Sequence, residues 1–79
     1  MELYKEKIRE LIHDIEEYEE FDDDTDLLQA GIMKSLCFTY VVSELEHEYG
    51  FIFPEEELDI RNFDTVEHIA EAVERLAGY

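Results

Sequence analysis

The sequence predicts an all-α fold, a bundle of three long helices and one short one joined up and down. Apolar residues recur at steps of three and four in three separate stretches. No stretch of useful length alternates with strand period, and Gly31, Gly50 and Pro54 punctuate the connections between the helical stretches. With 79 residues there is material for one core, so residues 1–79 are read as a single domain. A chain of this size buries only about 60% of the surface its unfolded form exposes, which leaves little room for a deep catalytic cleft.

The first helix is written by Tyr4, Ile8, Leu11, Ile12, Ile15 and Tyr18, with Lys5, Glu6, Arg9, Glu10 and Glu17 between them. From Asp14 to Asp26 the chain turns strongly acidic and loses its period, which predicts a long loop from near Glu19 to about Lys34. Leu27, Leu28, Ile32 and Met33 are its expected anchors in the core, and Gly31 sits where a turn needs positive φ. The second helix is expected to begin at Ser35, a good N-cap type, and to stop before Gly50. Stepping about 100° per residue, Phe38, Val41, Val42, Leu45 and Tyr49 form its core stripe, while Leu36, Tyr40, Ser43, Glu44 and His47 look outward. The stretch Phe51-Ile52-Phe53-Pro54 reads as extended, followed by a short helical turn around Glu57 to Asn62 that buries Leu58 and Ile60 or Phe63. For the last helix, Asp64 and Glu67 read as an N-cap and its partner three residues on. Val66, Ile69, Ala70, Val73, Leu76 and Ala77 then repeat at helical spacing.

Lys and Arg number 6 against 23 Asp and Glu, a formal net charge of -17. Such a surface repels phosphate backbones and anionic headgroups, so no nucleic acid and no direct membrane binding is expected. It steers the chain instead toward basic patches on partner proteins, and its self-repulsion should be relieved by salt. Cys37 is the only cysteine, so no intrachain disulfide forms and a reducing compartment is expected. The start Met1-Glu2-Leu3-Tyr4-Lys5-Glu6 carries charges every few residues, and nowhere do 18 apolar residues run together. The expectation is therefore a cytoplasmic monomer without signal peptide or membrane span.

His13, His47 and His68 fall on three different helices without carboxylates at a metal-ligand spacing, so no metal site is expected. The run Asp22-Asp23-Asp24-Thr25-Asp26 imitates the first half of a calcium loop, but Leu27 stands where the bend needs glycine and Met33 where the bidentate glutamate belongs. Carboxylates are plentiful, yet acid and base work needs a pocket that raises one pKa, and so small a domain offers little desolvation; no enzyme is expected. Ser35 draws more notice. It ends a long loop, its helix presents Leu36 and Tyr40 outward beside it, and no other candidate site is visible.

The stretch Leu27-Leu28-Gln29-Ala30-Gly31-Ile32-Met33-Lys34-Ser35-Leu36, the run from Val41 to Leu58, and Phe63-Asp64-Thr65-Val66-Glu67-His68-Ile69 together resemble the acyl carrier protein family over nearly the whole chain. The resemblance implies an acyl-carrier-protein-like bundle. It also implies a 4'-phosphopantetheine arm set on the serine of an Asp-Ser-Leu motif by a phosphopantetheinyl transferase that uses coenzyme A and magnesium. Acyl- or aminoacyl-loading and transfer enzymes are the further partners it implies. The matching serine is Ser35, Leu36 matches the exposed apolar residue that partners grip, and Tyr40, Glu44 and His47 are the other expected partner contacts.

Lys34 departs from the pattern, because the family usually has aspartate there to help organise metal and phosphate. Its replacement by a cation implies slower modification by ordinary transferases, although lysine can pair with the arm's phosphodiester as a point charge. The early turns of the second helix, with Cys37 and Tyr40 and with Gly31 ahead of the serine, are more similar to D-alanyl or peptidyl carriers than to fatty-acid carriers. The competing expectation is an unmodified acidic adaptor that keeps the carrier fold and uses Leu36, Tyr40 and the acids for docking.

Overall fold

Tyr4, Ile8, Leu11 and Ile12 keep one face of the first helix apolar, and that helix, α1, spans Glu2–Ile15 in the computed structural model. The second, α2, spans Ser35–Tyr49 and the third, α3, spans Val66–Ala77, with two 3-10 turns, Glu55–Glu57 and Ile60–Phe63, between them. Residues 2–78 are described, so Met1 and Tyr79 of the expected 1–79 domain lie outside the described residues. There is no strand among the described residues.

α1 stops earlier than the apolar period suggests. Glu16, Glu17, Glu19 and Glu20 crowd the negative end of the helix, where carboxylates are unfavourable. Tyr18 consequently lies off the helix and 90% exposed, rather than in the core stripe. The chain folds back at once: His13 Nε2 donates to the Glu19 carbonyl at 2.9 Å, and its ring stacks on Phe21 at 4.8 Å.

α1 packs against both other helices, whereas α2 and α3 are joined through the second 3-10 turn. Ile8, Leu11 and Ile12 meet Cys37, Val41 and Leu45 of α2 and Val66, Ile69, Ala70 and Val73 of α3 in one buried cluster. A row of edge-to-face and tilted rings closes the remaining side: Phe38 to Phe63 at 5.0 Å, Phe63 to Phe53 at 5.4 Å, and Phe53 to Phe51 at 4.8 Å.

In place of a single short turn around Glu57 to Asn62 there are two. Pro54, fixed in φ, opens the first, and Asp59 accepts from the Arg61 amide at 2.9 Å to cap the second. The break at Leu58 and Asp59 leaves Leu58 exposed and swings Phe63, not Leu58, into the core, with Ile60 half-buried beside it. At α3 the cap is Thr65, whose Oγ1 accepts from the His68 amide at 3.0 Å. Asp64, the expected cap, instead accepts from His68 Nδ1 at 2.6 Å.

The long acidic connection is pinned at two points to the start of α3. The Leu27 amide donates to the Asp64 carbonyl at 2.6 Å, and the Glu67 amide donates to the Asp23 carbonyl at 3.0 Å. Arg9 reinforces the second point from α1 by pairing with Asp23 at 2.9 Å, and Lys5 pairs with Glu67 at 2.7 Å. Leu27, Ile32 and Met33 are buried as expected and Leu28 is half-buried. Gly31 turns the chain at φ 75°, a value that glycine adopts without steric cost.

Candidate functional site

The last residues of the loop deliver the chain to the start of α2 with little freedom. Asp26 Oδ1 accepts from the amides of Leu28 and Gln29, and the Leu27 carbonyl accepts from both Ile32 and Met33 at 2.9 Å. Because Leu27 itself is buried, the backbone entering Ser35 is fixed from beneath.

Ser35 is not the N-cap. The cap is Lys34, extended at φ -113° and ψ 176°, whose side chain makes no capping hydrogen bond, and Ser35 is the first helical residue. Its side chain is exposed, and among the described residues its hydroxyl has no hydrogen-bond partner. Helix N-termini carry partial positive charge from their free amides, so an ester formed on this oxygen that brings negative charge is favoured there. The first turn of α2 holds no acid. An exposed, uncommitted hydroxyl at a rigid loop-helix junction fits a covalently attached phosphoester arm: nothing must be displaced and no pocket must open.

Leu36 follows at 70% exposure. His47 is also exposed, and on the helix it shares the outward face with Leu36 and Ser43. Tyr40 and Glu44 are not there. Tyr40 is half-buried, packed against the core cluster, and its hydroxyl donates to Asp14 Oδ2 of α1 at 2.7 Å. That bond, aided by desolvation and the nearby Glu44, pushes the Tyr40 phenol up to about 12. Glu44, a turn further on, is partly buried on the same flank. Cys37 is the reason. It is buried and shares the core line with Val41 and Leu45, so the inward direction of α2 is centred on Val41, roughly 60° nearer α1 than a stripe centred on Phe38 implies. Burial, with Glu16 near by, raises the Cys37 thiol to about 11, so it stays protonated beneath the site at neutral pH.

Around the junction Lys34 is exposed, and among the described residues it is the only lysine or arginine without a carboxylate in ion-pair range. Sequence reading passed over a second exposed apolar side chain, Ile52, at 76% exposure beside His47 and Phe51 at the far end of α2. Its signal was the extended reading of Phe51 to Pro54, which turns Ile52 away from the half-buried Phe51 and the buried Phe53. His13 and His68 are held in local hydrogen bonds on separate helices, and no cluster of metal-ligating side chains occurs among the described residues. Among the described residues no helix is long and apolar enough to cross a membrane.

Set against known proteins, the chain matches over residues 6–73 the family model described as a phosphopantetheine attachment site. No curated protein and no solved structure matches it.

Proposed function

The chain belongs to the phosphopantetheine attachment-site family of carrier proteins, and from that premise we propose that Ser35 is the residue that bears the 4'-phosphopantetheine arm. The observation that carries this reading is the Ser35 hydroxyl itself, exposed, free of hydrogen bonds, and at a junction fixed by the buried Leu27. When bound, the arm supplies a terminal thiol that holds a cargo as a thioester. The chain itself positions and presents, with residues 1–79 acting as one carrier domain and no catalysis of its own.

An acyl or aminoacyl group is the proposed cargo. The aminoacyl class is favoured by the acid-free first turn of α2, in keeping with the D-alanyl and peptidyl carriers that the sequence resembles. The proposed partners are a phosphopantetheinyl transferase and the enzymes that load and unload the cargo, met in the cytoplasm. Leu36 is the apolar contact, with His47 beside it, while Tyr40 and Glu44 contribute from the flank facing α1.

Incubation with coenzyme A, magnesium and a broad-specificity transferase tests the reading by intact mass. Wild type should gain one phosphopantetheine, mapped to the Ser35 peptide, and Ser35→Ala should gain none while its circular dichroism stays unchanged. Should wild type gain no mass with several transferases, the adaptor reading replaces this one.

A further inference from the structure

The carrier reading leaves Lys34 unexplained. With 23 acids against 6 bases, a cation finds a partner almost anywhere on this surface. Lys5 pairs with Glu67, Lys7 with Glu48, Arg9 with Glu2 and Asp23, Arg61 with Asp59, and Arg75 with Glu57. Lys34 alone has none among the described residues, although it is exposed and its long stem can sweep a wide arc. The molecule as a whole is strongly anionic, with a net charge of -17. A monoanion placed on Ser35 adds to that like charge; the start of α2 offsets part of the cost and a neighbouring cation offsets more.

The geometry points to Lys34 as the counter-ion of the phosphodiester that joins the arm to Ser35: the lysine has no partner until Ser35 is modified, and modification creates one. This rests on the carrier reading of Ser35. Lys34 is a positioning residue here, since it holds no cargo. Its ammonium draws the root of the arm toward the start of α2 and offsets the repulsion from the acidic surface. The fold consequently tolerates modification better with a cation at this position than with a neutral residue, and the difference is greatest where salt is low.

The test compares unmodified and arm-bearing forms of wild type, Lys34→Gln and Lys34→Arg, with peptide mass first locating the arm on Ser35. Nitrogen NMR follows the Lys34 ammonium, phosphorus NMR follows the diester, and thermal melts are taken at low and high salt. Attachment should move the Lys34 ammonium resonance in wild type. The phosphorus signal of Lys34→Gln should differ from that of wild type, Lys34→Arg should stay with wild type, and the difference should fade as salt rises. In low salt, attachment should lower the melt of Lys34→Gln more than that of wild type. With the arm on Ser35, an ammonium resonance that does not move overturns the inference and leaves the carrier reading standing, whether or not the variants can be loaded. If no arm reaches Ser35, both fall together.

Discussion

Leu36 and Tyr40 sit a single helical turn apart, yet their fates differ because one is 70% exposed and the other is half-buried and bonded to Asp14. Truncating Leu36 removes nothing from the core but takes away a side chain worth about 1.5–3 kcal/mol when buried against a partner. Leu36→Ala should therefore leave the melt unchanged and speed dissociation from a loading enzyme roughly ten-fold, as read by surface plasmon resonance. Tyr40→Ala should instead lower the melt, and Tyr40→Phe, which keeps the ring and loses only the Asp14 bond, should retain most of it. Equal melts for all three variants would return Tyr40 to the outward face. The sequence periodicity of α2 was readable, but its tilt was not. Free cysteine is among the most often buried residue types, so Cys37 belonged with the apolar stripe, and it decides which flank turns inward. Lys34 was visible as a departure, whereas its lack of a partner depends on which acids the fold brings to the other cations.

The elements themselves follow from local chemistry, and the disagreements fall at their ends. Thr65 and Asp64 are both good cap types in adjacent positions, and only the backbone hydrogen bonding of the loop decides between them: the Asp64 carbonyl is taken by Leu27, and Thr65 closes the helix. Displaced from the cap, Asp64 is free to hold His68, whose imidazole is raised above its ordinary 6.5 chiefly by that hydrogen bond. A histidine raised on folding adds stability that is complete below its unfolded value and disappears as pH climbs through the higher folded value. The gap between the melts of wild type and His68→Gln should therefore be wider near pH ~5.5 than near pH ~8.5. A gap independent of pH would show that charging of His68 beside Asp64 adds nothing to stability. The acidic loop was legible as a loop and its apolar anchors as anchors, but not its attachment to α3, because backbone hydrogen bonds leave no mark in side-chain patterning.

Over the whole molecule the net charge of -17 is confined to a body of 31 × 24 × 19 Å. At about 10 mM salt the screening length is roughly 30 Å, so acids at opposite ends repel one another, whereas at 0.15 M it shrinks to about 8 Å and only neighbours do. The melting temperature should rise steadily with sodium chloride between those limits. A flat response would mean that the ion pairs of α1, which salt weakens, are worth as much as the repulsion it relieves. The two backbone clasps between the connection and α3 have a further result. Residues that look like a slack tether belong to the same cooperative unit as the final helix, so a fluctuation that peels α3 away also releases Asp23 and Leu27 and with them the footing of Ser35. Local opening at one end of the chain thus unmoors the segment that leads into α2, and the junction is only as steady as the distant helix to which its backbone is tied.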